Sequence, residues 1–140
     1  MVYITRSLGL DIGDRRIGVA LSDPDGILAS PLTIIECQNN IMDITAITDI
    51  ISQQNVGQII VGLPRLMDGR MGEQAEKVEA FTQNLRSHTE ISVEFRDERL
   101  TTVSARRMMK ATKTKNTKKK VRDDAIAAAI ILQGYLDEKL

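Results

Sequence analysis

The amino-acid sequence predicts one α/β domain with a mixed five-stranded sheet, in which antiparallel strands come first and parallel strands follow, and with helices on both faces. Two observations lead to this class. The chain has 140 residues, which suits one domain and is too short for two. Short apolar runs separated by tight turns fill the first quarter, and helical periodicity then alternates with strand-like runs. We expect residues 1–140 to form a single domain.

The first three strands are predicted at residues 5–11, 16–22 and 27–36. The tight DIGDRR turn joins the first two, and an Asp-Gly pair turns the chain into the third. Pro31 lies in the third run, and because proline has no backbone N–H, an edge position is expected there. The three strands should therefore form an antiparallel meander.

Helices and strands alternate in the rest of the chain. The predicted elements are a helix at 40–54, a strand at 58–64, a helix carrying Ala75, Val78, Phe81 and Leu85, a strand at 91–98, a helix at 102–112, a charged loop at 113–120 and a final helix from Val121 to Leu136. This order predicts an α/β domain of the ribonuclease-H-like kind.

Composition excludes several kinds of site. One cysteine and one histidine cannot form an internal disulfide or a metal cluster of thiols and imidazoles. Aromatic residues make up only 3%, with no tryptophan, which disfavours a platform for stacked bases. No membrane span or secretory signal is recognisable, so a cytoplasmic location is expected. Any metal site must be built from carboxylates.

The charge is divided unevenly although the net charge is zero. Residues 99–122 hold ten of the 19 basic residues and no acid, which is typical of a partner rich in phosphate. A solvated basic loop without a partner is the simpler alternative. The candidate nucleic-acid contacts are Arg15, Arg16, Arg99, Arg106, Arg107, Lys110, Lys118, Lys119 and Lys120.

Three carboxylates are the candidate catalytic residues. Asp11 follows the first apolar strand, where ligands of open α/β sheets bind. Glu98 lies at the end of the strand ISVEF, with Asp97 as the alternative, and an ion-pair cluster with the adjacent arginines would explain both acids without catalysis. In the last helix, Asp124 borders the apolar stripe, whereas its neighbour Asp123 faces water on a helical wheel.

Such a trio of carboxylates would repel one another unless a divalent cation lay between them. Hard oxygen ligands suit Mg²⁺ or Mn²⁺, and such a site hydrolyses phosphodiesters. The sequence therefore predicts a metal-dependent nuclease whose metal ligands are Asp11, Glu98 and Asp124. The basic segment lies between the last two acids, so substrate binding and chemistry would be adjacent.

Four segments resemble the YqgF-type family of small bacterial proteins, described as pre-16S rRNA nucleases or Holliday junction resolvases. The segments are LGLDIGDRRIGVALSD (8–23), IIVGLPRLMDGRMGEQAEKVEAF (59–81), DERLTTVSA (97–105) and VRDDAIAAAIILQGYL (121–136). The resemblance implies a ribonuclease-H-like fold and a role in maturing the 5′ end of 16S ribosomal RNA. It also assigns the acidic site to Asp11, Glu98 and Asp124.

Three other functions stay open at this point. Cleavage of branched DNA would require paired active sites, and the sequence specifies no oligomeric state. A ribosome-assembly factor could bind RNA through the basic segment without cutting it. A strand followed by DIG also occurs at the start of ATP-binding lobes. Such proteins need two lobes around the nucleotide, and 140 residues supply only one.

Overall fold

One five-stranded sheet organises the chain. The computed structural model describes residues 5–100 and 117–139, with side chains described for residues 5–99 and 125–139. The strands are β1 (Arg6–Ile12), β2 (Arg16–Ser22), β3 (Ala29–Glu36), β4 (Val56–Leu63) and β5 (Ser92–Asp97), in the spatial order β3-β2-β1-β4-β5. The first three pair antiparallel, and β4 pairs parallel with both β1 and β5. The predicted mixed sheet and the edge position of Pro31 are confirmed.

Helices cover both faces of this sheet, as predicted. Helices α1 (Asn40–Gln53) and α2 (Glu73–Arg86) bury apolar side chains such as Ile47 and Val78 on one face. Helix α3 (Thr117–Lys139) packs on the other face, where its alanines contact Ala20 and Ile60. A single 3-10 turn, Glu98–Leu100, follows β5. No helix in the described part of the chain is long and apolar enough to cross a membrane.

The start of α3 differs from the sequence prediction. The charged loop predicted at 113–120 is wrong for residues 117–120, because α3 already begins at Thr117. Charge density predicts exposure to solvent but does not oppose helix formation, and lysine is among the better helix formers. The helix predicted at 102–112 lies outside the described residues.

A glycine lets α3 approach the sheet closely. An ideal Cβ placed on Gly9 of β1 would lie 2.8 Å from both the carbonyl oxygen of Ala128 and the Cβ of Leu132. Such distances are shorter than van der Waals contact, so the helix can lie at this height only because residue 9 has no side chain. The contact fixes α3 over the middle of β1.

We expect Gly9→Ala to lower the free energy of unfolding by about 1–3 kcal/mol, because the methyl group would push the backbone of α3 outward. Urea denaturation followed by circular dichroism measures the loss. Gly57→Ala is the matched control, since a Cβ there would meet the Oγ1 and Cβ of Thr5, an exposed residue that precedes β1 and can shift without displacing α3. Equal stability of the Gly9 and Gly57 variants would contradict the close contact.

Candidate functional site

Asp11 lies between two glycines on the α3 face of the sheet. Side chains alternate along β1, so that Leu10 and Ile12 join the core under α1 and α2, whereas Gly9 faces α3. Asp11 shares the face of Gly9 and is only 4% exposed. Gly18 of β2 pairs directly with it. On the other side Gly62 of β4 comes next, because Asp11 and Gly62 follow the paired residues Leu10 and Val61.

The carboxylate of Glu98 lies over Gly62. An ideal Cβ on Gly62 would collide with Glu98 Oε1 and with Ile131 Cδ1 of α3. Glu98 is 1% exposed, so its side chain is enclosed between the sheet and the helix. The space that other residues would fill with a Cβ therefore holds the Glu98 carboxylate.

These two acids share a small region at the carboxyl ends of β1 and β4. Neighbouring strands are about 4.8 Å apart, so Asp11 lies one strand away from the glycine that Glu98 covers. Burying carboxylates costs free energy unless hydrogen bonds or a cation offset the loss of water. The sheet edge thus concentrates negative charge next to apolar side chains, which is the electrostatic setting of a cation site.

Helix α3 runs antiparallel to β1, which decides which of its ends faces this region. Its C-terminal part bonds to residues at the opposite end of the sheet: Gln133 accepts from the N–H of Ala29 at 2.9 Å, and the Tyr135 hydroxyl donates to Gln58 Oε1 at 3.2 Å. The N-terminal part of α3 therefore extends toward Asp11. Residue 124 belongs to this part, and its side chain lies outside the described residues.

Asp97, the alternative to Glu98, has a different environment. It ends β5 and accepts from Arg99, with 2.6 Å between Asp97 Oδ2 and Arg99 Nη2. The hydrogen bond from the Arg99 side chain holds the pKa of Asp97 below its usual value, and the same bond raises the pKa of Arg99. The Arg99 guanidinium also reaches the loop after β4, where its Nη1 lies 3.4 Å from the carbonyl oxygen of Met67.

The structure describes the side chains of only some of the predicted nucleic-acid contacts. Arg15 is exposed in the turn between β1 and β2, and Arg16 forms an ion pair with Glu36 at 3.1 Å. The residues for which no side chain is described are Arg106, Arg107, Lys110, Lys118, Lys119 and Lys120. Among the described residues no group of three or more potential metal ligands occurs.

Sequence reasoning missed the glycine that makes room for Glu98. Gly62 stands within an otherwise apolar buried strand, and a glycine there is a recognised signal of close approach by another group. The glycine indicates that another group lies close to β4, but the sequence does not reveal that this group is the Glu98 carboxylate.

Known proteins resemble this chain in sequence and in fold. A family model described as "RuvX: Holliday junction resolvase" matches residues 5–138. A protein of Moorella thermoacetica is 44% identical over 94% of each chain, and one of Roseiflexus sp. is 46% identical over 96% of this chain and 95% of the relative. Both are named "Putative pre-16S rRNA nuclease". The fold matches that of T. thermophilus RuvC in complex with a Holliday junction substrate, with a TM-score of 0.58, 13% identity and coverage of 96% and 95%.

The ion pair of Asp97 predicts a pH-dependent contribution to stability. A carboxyl whose pKa is lowered by folding stabilises the chain above its unfolded pKa of about 3.9, and this contribution is lost as the pH falls through the folded pKa. We expect Asp97→Asn to reduce the free energy of unfolding by about 1 kcal/mol at pH 7 and by much less at about pH 3. Urea denaturation at both pH values tests this, with exposed Glu79→Gln as control. The same loss at both pH values would contradict the ion pair.

Proposed function

The chain belongs to the RuvX family, and from that membership we propose that it is a nuclease that hydrolyses phosphodiester bonds in structured nucleic acid. The observation that carries the proposal is the position of two buried carboxylates at the carboxyl ends of two parallel strands, where Glu98 covers Gly62 of β4 and Asp11 lies on the neighbouring strand β1. The names of the relatives support precursor 16S ribosomal RNA as the substrate and maturation of its 5′ end as the reaction. This role belongs to the bacterial cytoplasm, where ribosomes are assembled.

The residues present fit a hard divalent cation. Carboxylate oxygens are the ligands that Mg²⁺ and Mn²⁺ take from proteins, and the missing side chain of Gly62 lets the Glu98 carboxylate lie on the strand next to Asp11. Asp11 and Glu98 would hold the ion. When bound, such an ion withdraws charge from a phosphodiester oxygen and makes a water molecule a better nucleophile. The identity of the metal, Mg²⁺ or Mn²⁺, is part of the proposal.

Asp124 is the proposed third ligand. Ala128 lies over Gly9, and residue 124 precedes Ala128 by four residues, about 6 Å along α3. Asp11 follows Gly9 by two strand residues, about 6.6 Å along β1. Because α3 is antiparallel to β1, this step has the same direction as the step from Ala128 back to residue 124. This backbone position supports Asp124, with Asp123 as the alternative, since the two steps bring residue 124 to the level of Asp11.

The chain's own residues prepare the substrate in two ways. Asp11 is fixed in β1 and Glu98 in the turn directly after β5, and both are buried, so they would need little reorganisation when an ion and a phosphate arrive. The basic residues of the segment 99–122 and of the turn at Arg15 would attract the phosphate backbone and bring it to the sheet edge. Arg16 and Arg99 would have to exchange their carboxylate partners for phosphate in order to join them.

Branched DNA is the second candidate substrate. The description of the matched family model supports it, because that description names Holliday junction resolvase activity. Cutting a four-way junction symmetrically requires two active sites, so this candidate also requires a dimer. Incubation of the purified protein with a precursor 16S fragment and with a four-way junction, each with Mg²⁺, Mn²⁺ or chelator, separates the two substrates.

We expect Asp11→Asn and Glu98→Gln each to reduce metal-dependent cleavage of a precursor 16S fragment by roughly 100-fold or more, because each removes a charged ligand. Binding of the same RNA, measured by fluorescence anisotropy with Ca²⁺ in place of Mg²⁺, should change little. Asp97→Asn is the control for Glu98, since Asp97 pairs with Arg99 instead. Unchanged cleavage by both carboxylate variants would refute the assignment of the active site to Asp11 and Glu98. Absence of cleavage by the unchanged protein, with RNA binding kept, would instead favour an RNA-binding factor.

Replacing Lys118, Lys119 and Lys120 together by alanine should have the opposite effect. If these lysines contact phosphates, the slope of log affinity against log salt concentration should fall in magnitude by roughly 2 to 3, since each contact contributes about 0.7–0.9. Cleavage at saturating RNA should stay close to that of the unchanged protein. An unaltered salt slope would show that the lysines do not contact the RNA.

Gly62→Ala tests the geometry without removing a charge. The new methyl group would displace the Glu98 carboxylate, and a shift of about 1 Å at a reacting group costs on the order of 100-fold in rate. We therefore expect cleavage to fall by that factor while RNA affinity is kept. Gly57→Ala, at the other end of β4, should retain full activity.

A further inference from the structure

Arg96 places a cation in the same row of the sheet as Asp11 and beside the glycine that Glu98 covers. It pairs with Gly62 across β4 and β5, so the row on the α3 face reads Gly18, Asp11, Gly62 and Arg96. An arginine here could turn toward the carboxylates of Asp11 and Glu98. Instead its guanidinium extends along the helix to Glu138, with 2.8 Å between Arg96 Nη2 and Glu138 Oε1.

The guanidinium lies directly on the backbone of α3. An ideal Cβ on Gly134 would be 2.7 Å from both Cζ and Nη2 of Arg96. The arginine side chain is only 15% exposed, although Glu138 is 62% exposed. A glycine inside a helix is less favourable than alanine by about 1 kcal/mol, so its presence here needs a packing reason. The flat contact with Arg96 supplies that reason.

The contact of Arg96 with Gly134 and Glu138 connects β5, an edge strand of the sheet, to helix α3. Helix α3 packs mainly across β1, β2 and β3 and much less on β4. Glu98 follows β5 directly, whereas residue 124 belongs to α3. The distance between these two parts of the site therefore depends on how the helix is held against β5, and the Arg96 side chain reaches from β5 to the helix.

We propose that Arg96 is a positioning residue: clamped between Gly134 and Glu138, it fixes α3 relative to β5 and thereby sets the geometry of the carboxylate site. The clamp also keeps the guanidinium directed away from Glu98. This inference rests on the proposed function, because the geometry that it sets is that of the metal ligands.

The clamp is tested first by thermal unfolding in two backgrounds. In Arg96→Ala, Gly134→Ala should raise the Tm by about 4 °C, since alanine is the better helix former and the three nearest atoms that its methyl group would meet, all of Arg96, are gone. With Arg96 present, the same substitution should give no gain or a loss, because the methyl group displaces the guanidinium. The same gain in both backgrounds would overturn the clamp.

The positioning role is tested by Mn²⁺ binding, followed through the electron paramagnetic resonance signal of the free ion. Removing a nearby positive charge should by itself strengthen Mn²⁺ binding. If Arg96 positions the site, Arg96→Ala should instead weaken binding roughly tenfold. Glu138→Gln removes the ion pair that holds the guanidinium, so it should also weaken Mn²⁺ binding.

Gln133→Ala is the matched control on the same helix. Gln133 ties α3 to the other edge of the sheet through Ala29 and Ile27, so its loss should lower stability and leave Mn²⁺ affinity unchanged. Binding by Arg96→Ala that equals or exceeds that of the unchanged protein would overturn the positioning role. Failure of the unchanged protein to bind Mn²⁺ would instead refute the proposed metal site, and the positioning role with it, before any variant is compared.

Discussion

The close approach of helix α3 to the sheet is the constraint on which the rest of the structure depends. Two positions without side chains permit it, since Gly9 accepts the helix backbone and Gly62 accepts both Ile131 and the Glu98 carboxylate. A larger residue at either position would lift the helix or expel the carboxylate. The same glycines that close the core therefore also create the polar space at its edge.

That space explains how an apolar interface can contain acids. Most of the α3 face is alanine, isoleucine and leucine, and it closes tightly around the middle of the sheet. Toward the carboxyl ends of β1 and β4 the apolar contacts give way to Asp11 and Glu98, both buried. Asp11 is held in β1 and Glu98 in the turn directly after β5. In the proposed function, these acids would hold the metal ion, and the basic residues of the segment 99–122 would attract the phosphate that the acids themselves repel.

Local patterns in the sequence were sufficient to predict the sheet. Alternation and turn signals determine the β1–β2–β3 meander, and periodicity determines α1, α2 and most of α3, because these depend on neighbouring residues. Asp11 and Glu98 were chosen from their positions at strand ends, and their assignment as metal ligands stays a prediction. The ion pair with an adjacent arginine, which the sequence left open for both acids, is formed by Asp97 with Arg99. Patterns could not show that Glu98 fills the space over Gly62 or that Arg96 reaches Glu138, 42 residues away. Such contacts depend on tertiary packing, which periodicity does not encode.

The most direct test of the account is a crystal structure of the protein soaked in Mn²⁺, with anomalous diffraction used to locate the ion. The account predicts a peak on the α3 face, in front of Asp11 and bonded to carboxylate oxygens of both Asp11 and Glu98. A structure in which the ion binds elsewhere, with these two carboxylates too far apart to share it, would contradict the account.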